Sequence, residues 1–345
     1  MNPNPIAFIK SLEGTSYAAV IDETLTRIGF FDTVPSGSRV FLKPNLTFPE
    51  FRPGVMTSFD CLKAVTHCLI DHGYRVTIGE ADSGGYNRFS MDEVFNGMGI
   101  YEMAKEAGAE VVNVSFTERS WMEVRAGWRT LRVPVPRMLL HEIDAFITLP
   151  VPKIHMNTLV SMSIKNQWGC IQEPSERLKL HPYFAEVMFE FERRLPRAFS
   201  IIDGRYGLNR TGPMLGDVVD LNFLLGSNDL VAADRVCCRI MQIDEDRVAY
   251  LRFFKARGWW TSFDDIRLND DPARFKKEAF YLVRKWTDYP GLFCFHNSFL
   301  AWLGYHSPLA SFAHWLLYLF REPFYEYEKE KAKVRRETRP GQGSQ

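Results

Sequence analysis

A chain of 345 residues can form one large domain or two ordinary ones, and it is long enough to bury a core of its own. Its 46% hydrophobic and 24% charged content is that of a globular protein and excludes wholesale disorder. With 42 Lys+Arg against 42 Asp+Glu the net charge is zero, which excludes the basic footprint of bulk nucleic-acid binding but leaves room for a local cationic cleft.

In chain order, Ile6–Ile9 reads as a short strand, and Tyr17–Phe30 carries apolar residues at helical spacing. Arg39–Lys43 is a strand stopped by Pro44. Thr57-Ser-Phe-Asp has N-cap chemistry and opens a helix to about Asp71, closed by Gly73. Arg75–Gly79 is the next strand, with Glu80–Gly85 as the loop after it. A helical region from Ser90 to Gly108 precedes a strand at Glu110–Val114, and Trp121–Val135 reads as a hairpin turning at Ala126-Gly127. Met138–Ile143 is a short helix and Asp144–Pro150 a buried strand; Phe199–Asp203 and Leu221–Gly226 are further strands, and Asp229–Ile240 a helix. This alternation predicts an α/β fold: a mostly parallel sheet with helices on both faces and a helical, aromatic-rich C-terminal extension. The change of texture after Trp259-Trp260 predicts a core domain over 1–258, the extension over 259–336 and a disordered tail over 337–345.

The N-terminus has neither the basic nor the apolar region of a secretory signal. Six irregularly spaced cysteines fit no disulfide framework, zinc site or iron–sulfur motif, so they are expected to be reduced core residues of a cytoplasmic protein. Phe299–Phe320 is apolar, aromatic and long enough to span a bilayer, but His306, Ser307, Pro308, Ser311 and His314 interrupt it and a basic stretch, Lys329–Arg339, follows. Three uses are open for it: a helical pair packed on the domain, a peripheral membrane contact through residues 299–320, or a span. It could equally cover a homodimer interface.

The chemistry concentrates between Lys153 and His181. Lys153, His155, Ser163, Lys165, Asn166, Arg177 and His181 follow a strand ending in Pro150, and ligands of open α/β sheets collect beyond such strand ends. Lys43 and Asn45 also follow a strand, where they either meet a phosphate or carboxylate or merely shape a turn. Glu80 and Asp82 are acid–base groups, metal ligands or caps of the next helix. The glycine-rich stretch Gly207–Gly216, with Arg210 and Gly212, either wraps an anion or simply connects two strands. Asp229 is expected to be an N-cap, and Asp234 fits several roles. No dinucleotide fingerprint follows the first strand.

Leu42-Lys-Pro-Asn45, Asp144–Pro152, Lys153-Ile-His155, Ser163-Ile-Lys-Asn166 with Gly169, Arg177, His181, Asp203-Gly204, Gly212-Pro213-x-x-Gly216 and Asp229–Asp234, in this order, resemble the prokaryotic family known as domain of unknown function 362. Many members carry a ferredoxin-like cysteine cluster; this chain has no such motif, so the resemblance implies no electron transfer here. The order His155, Lys165, His181 is also similar to the central stretch of the lactate racemase family. That likeness implies Lys165 as attachment point of a nickel-pincer nucleotide, His181 as metal ligand and His155 as acid–base. Glu80 and Asp82 stand where that family has a second histidine, and Ser163-Ile164 where it has Gly-Gly.

The expected function is an enzyme, of racemase, isomerase or oxidoreductase type, acting at a hydroxyl-bearing carbon of a small anionic metabolite. His155, Lys165, Glu80 and Asp82 would be catalytic; Lys43, Asn45, Lys153, Ser163, Asn166, Arg177, Arg210 and Gly212 would bind substrate. Two alternatives stand beside it. One is a non-catalytic phosphate- or nucleotide-binding protein tethered to a membrane or partner. The other is a metal or iron–sulfur-associated protein drawing on His155, His181, Glu80, Asp82 and Asp203.

Overall fold

The structure, a computed structural model, describes residues 2–83, 89–305 and 307–319. Gly84 and Gly85 of the loop after Glu80, the basic stretch 329–339 and the tail 337–345 lie outside the described residues. Twelve strands are described: β1 (Ile6–Ser11), β2 (Arg39–Pro44), β3 (Arg75–Glu80), β4 (Glu110–Asn113), β5 (Arg119–Ala126), β6 (Arg129–Pro136), β7 (Ala145–Leu149), β8 (Lys153–His155), β9 (Leu159–Ser161), β10 (Ala198–Asn209), β11 (Asp217–Ser227) and β12 (Arg267–Leu268). Ten form one sheet in the order β12-β1-β11-β10-β7-β2-β3-β4, with β8 pairing β10 and β9; β5 and β6 make the separate hairpin.

β10, β7, β2, β3 and β4 run parallel, and β11 lies antiparallel between β10 and β1. β7 is buried along its whole length and β2 along all but its first residue, as expected of strands covered on both faces. One apolar cluster gathers the helices Tyr17–Arg27, Phe59–Asp71, Met91–Gly97 and Ile100–Ala107; the other gathers the β5–β6 hairpin with Phe184–Arg194, Leu230–Met241 and Ala249–Ala256. The helix Phe59–Asp71 starts where predicted: Ser58 Oγ accepts from the Cys61 amide at 3.3 Å, and Gly73, at φ +82°, follows its end.

From β2 the chain steps outward to β3 and β4, then returns to place β7 on the other side of β2. The crevice between the carboxyl ends of β2 and β7 is therefore a topological switch point, the position where ligands of open α/β sheets bind. Lys43 closes β2, and Pro150-Val-Pro-Lys153 leaves β7.

The segment after residue 258 returns to the sheet, as β12 pairs parallel with β1 and Phe280 joins a core cluster. Farther on, the long apolar stretch breaks into Tyr289–Phe295, Ser298–Tyr305 and Ala310–Tyr318. Among the described residues no helix is long and apolar enough to cross a membrane.

Candidate functional site

Lys43 sets the floor of the crevice. Its side chain is 1% exposed, its Nζ donates to the Pro44 carbonyl at 2.8 Å, and it forms a short ion pair with the equally buried Glu80. The Glu80 carboxylate also accepts from the amides of Ala81 (3.0 Å) and Leu46 (3.4 Å). Gly169 lies directly over this pair. A Cβ there would sit 2.4 Å from Glu80 Oε1 and 2.9 Å from Lys43 Nζ, so only glycine lets the backbone approach so closely. Glu80 is thus spent in holding Lys43, whereas the sequence reading offered it as an acid or base.

Lys165 is presented by a four-residue helix, Ser163–Asn166. That turn is clamped by Asp234, a buried carboxylate on the helix Leu230–Met241. Asp234 accepts from the amides of Ser163 (2.7 Å) and Ile164 (3.3 Å) and from Tyr250 Oη (2.9 Å), and burial raises its carboxyl to about 6. Ser163 Oγ bonds Ser200 Oγ at 2.7 Å. Asn166 Nδ2 donates to the Lys43 carbonyl (3.0 Å) and to Thr148 Oγ1 (2.8 Å), bridging β2 and β7 where they part. Ser163 and Asn166, read as substrate-binding, are committed to building this turn.

The Lys165 amine itself stands over the rings of Phe184 (5.3 Å) and Trp168 (5.6 Å), and among the described residues it has no carboxylate or hydrogen-bond acceptor. Burial first, then the charges of Arg177, Lys153 and Lys43, lower its pKa to about 7. Lys153 is buried too. Its Nζ donates to the Val55 carbonyl at 2.8 Å, and burial likewise lowers it to about 7. Arg177 gives one N–H to the Asp82 carbonyl, while its buried Nε lacks a partner among the described residues. Burial pulls even this guanidinium down to about 10. Buried donors without partners are rare in folded proteins, and here two sit in a cluster of like charge.

The hairpin of β8 and β9, whose tight turn the sequence did not signal, carries the two histidines' link. His155 Nδ1 accepts from the Asn157 amide at 3.1 Å. The Asn157 side-chain nitrogen lies 2.9 Å from His181 Nδ1. An Nδ1 that accepts a hydrogen bond leaves the proton of the neutral ring on Nε2. Both rings are held neutral, because burial and then the Lys165 charge push them well below the usual histidine range. The His181 ring packs between Trp168 (5.2 Å) and Phe295 (4.6 Å). Asn157 is the residue that sequence reasoning missed; an asparagine in a turn gives no signal of a bridging role.

The other expected groups fall outside this cluster. Asp82 accepts from the Met91 amide (2.7 Å) and Asn113 Nδ2 (3.0 Å), the capping alternative. Asn45 shapes its turn through Thr57 Oγ1 and the Val55 carbonyl, both at 2.8 Å. Arg210 pairs with Asp217 and stacks over Tyr281 at 5.0 Å. Gly212 matters sterically, since a Cβ there would lie 1.9 Å from the Ile154 carbonyl. Asp203 accepts from Tyr17 and from Ser58 N and Oγ, and Asp229 caps its helix through the Ala232 amide at 2.9 Å. For a metal the donor set is a poor fit. His155 keeps Nδ1 occupied and its proton on Nε2, and the carboxylates of Glu80, Asp82 and Asp203 are already engaged. Among the described residues the one triad of ligand-type groups is Asp22, Cys68 and His72, on the helices Tyr17–Arg27 and Phe59–Asp71 and the residue after the second. The six cysteines are free thiols, five of them buried.

The chain is 27% identical over 244 residues to the thylakoid-associated protein sll1697 of Synechocystis, covering 68% of this chain and 73% of that one. Among solved structures it is similar to the lactate racemase apoprotein of Thermoanaerobacterium thermosaccharolyticum (12% identity, TM-score 0.42) and to a Thermotoga maritima protein (14% identity, TM-score 0.38). These matches cover 69% and 66% of this chain but only 57% and 59% of the two solved chains, and they assign it no activity. Residues 40–239 match the family described as domain of unknown function (DUF362), a span that holds Lys43, Glu80, Lys153, His155, Asn157, Lys165, Arg177, His181 and Asp234, and the chain belongs to that family.

Proposed function

We propose that this protein is an enzyme that moves a proton at a hydroxyl-bearing carbon of a small anionic metabolite. The observation that carries the reading is the buried Lys165 amine, without a hydrogen-bond or ion-pair partner among the described residues, in a cluster of cations. At pH 7 about half of such an amine is unprotonated, the condition of an effective general base. Arg177 and Lys153 suit a carboxylate or phosphate, whose charge would relieve their mutual repulsion. Lys165 would take the proton from a hydroxyl-bearing carbon beside a carbonyl and return it to the carbonyl carbon, while the hydroxyl proton passes to the carbonyl oxygen. The Nε2–H groups of His155 and His181 suit the oxygen on which negative charge then collects, and return of the proton completes an isomerisation. Relative to the sequence reading, the proton-accepting role passes from His155 to Lys165, because each neutral ring already carries its proton on Nε2.

The test is deuterium incorporation at the carbon of a panel of 2-hydroxy and 2-oxo acids and their phosphate esters in heavy water, followed by proton NMR. Exchange by the wild type that Lys165→Met removes supports the reading. Exchange that survives this substitution, or a panel on which the wild type exchanges nothing, sinks it.

A second reading concerns place. The relative of Synechocystis is named for its association with thylakoids, and we propose that this chain, too, works at a membrane surface rather than free in solution. Retention of the full-length chain in the membrane pellet of its host, released by high salt, would support that, and an exclusively supernatant chain would refute it.

A further inference from the structure

From Tyr289 to Leu319 the sequence contains no Asp, Glu, Lys or Arg, in a chain of which 24% is charged. The structure does not bury this stretch. In the helices Tyr289–Phe295, Ser298–Tyr305 and Ala310–Tyr318 the buried apolar side chains among those described are Leu292, Ala301 and Ala310. Phe293, Phe299, Trp302, Phe312 and Trp315 stand 44–66% exposed, with Phe299 on Trp302 and Phe312 on Trp315 at ring separations of 5.9 Å. Soluble surfaces rarely leave so large an apolar patch uncovered. Beyond it in sequence, residues 320–339 hold seven Lys/Arg against five Glu, with six of the cations gathered in 329–339. Exposed Trp and Phe followed in the sequence by a cationic run match the two layers of an anionic lipid surface: the acyl–headgroup boundary and the charged headgroups.

The same helices are part of the candidate site. Ser298–Tyr305 packs on Pro174–Leu180, the helix that carries Arg177, and the Phe295 ring lies 4.6 Å from that of His181. We infer that the helices from Tyr289 to Tyr318 dock on the interfacial layer of an anionic bilayer, and that docking fixes the wall that Phe295 builds against His181. The first half rests on the exposed face and the basic run and deepens the membrane-surface reading; the second rests on the proposed site.

The experiment is co-sedimentation of the full chain with phosphatidylcholine vesicles containing or lacking phosphatidylglycerol. The comparison variant is Trp302→Glu/Phe312→Glu/Trp315→Glu, at positions exposed enough to leave folding intact, as checked by circular dichroism and melting. The wild type should bind the anionic vesicles, about tenfold or more weakly in high salt or on neutral vesicles, and the variant should stay in the supernatant. A wild type that ignores anionic vesicles overturns the inference. So does a wild-type dimer that the variant converts to a monomer, because the face would then belong to a second copy of the chain. For the coupling, the His181 ring nitrogen resonances should shift when anionic bilayers are added and stay put in the variant; binding without that shift overturns the coupling. Neither readout uses turnover, so failure here and failure of the proton-transfer reading are separable.

Discussion

Replacing Lys165 by methionine should stabilise the protein while removing its activity. The folded amine titrates at about 7, against an ordinary value of 10.5. Unfolding therefore takes up a proton at any pH between those values. Wild-type stability falls as pH drops from about 10 to about 7 and levels off below, where both states are protonated. At about 1.4 kcal/mol per pH unit, the buried amine costs about 4 kcal/mol at pH 7. Removing one cation also relieves Lys153 and Arg177, an effect of the same sign. Methionine has nearly the same length and keeps the contact with Trp168 and Phe184 without the charge. Even half of this gain, about 2 kcal/mol, would raise the melting temperature by about 3 °C in a chain of this size. Urea or thermal melts of both proteins at pH 7 and pH 10 measure it. The advantage of Lys165→Met should be largest at pH 7 and shrink toward pH 10. A variant no more stable than wild type at pH 7, or an advantage independent of pH, would refute the claim that this amine is buried without a counter-charge. Such a gain is the expected mark of a functional group kept at the expense of stability.

Gly169→Ala should destabilise by about 2 kcal/mol or more, because the added methyl must part the buried Lys43–Glu80 pair; denaturant melts check it. Asn157→Asp should raise the His181 pKa and move its proton to Nδ1, since a carboxylate there accepts where the amide donated; nitrogen chemical shifts across pH report both, and an unchanged ring would refute the bridge. Asp234→Ala leaves the Ser163 and Ile164 amides and the Tyr250 hydroxyl without their acceptor, and should cost about 2–4 kcal/mol and lower turnover with it. Phosphate should stabilise the wild type more than Lys165→Met, by a melting shift that grows with its concentration.

The sheet was legible in the sequence because its signals are local. β2, β3 and β7 are short β-branched and aromatic runs ended by Pro44, Glu80 and Pro150, and their boundaries agree with the structure to within a residue or two. The hairpin at Ala126-Gly127 and the Ser58 cap were legible for the same reason. Two features were not. β10 and β11 run well past the apolar cores that announced them, because their outer halves, through Asn209 and from Asp217, pair with each other and gain their place from that register. The hairpin of β8 and β9 has only three residues a side, too short for any period to show.

The site was legible as a list of residue types and not as a division of labour. Lysine, histidine, arginine and carboxylate in one stretch say that charge is gathered, but a catalytic cation differs from a structural one only in whether a partner meets it. Lys43 and Lys165 carry nothing in sequence that separates their roles, each lying at a strand end or turn and each close to an asparagine. Glu80, 37 residues away, neutralises the first, while the carboxylate bonded to the Lys165 turn, Asp234, is engaged by the amides of Ser163 and Ile164 and by the Tyr250 hydroxyl. That assignment is made by long-range packing of the helix Leu230–Met241 against the turn. The clamp fixes the backbone of a turn whose own side chain would repel its neighbours. It explains how three buried cations can be kept close together in a stable fold.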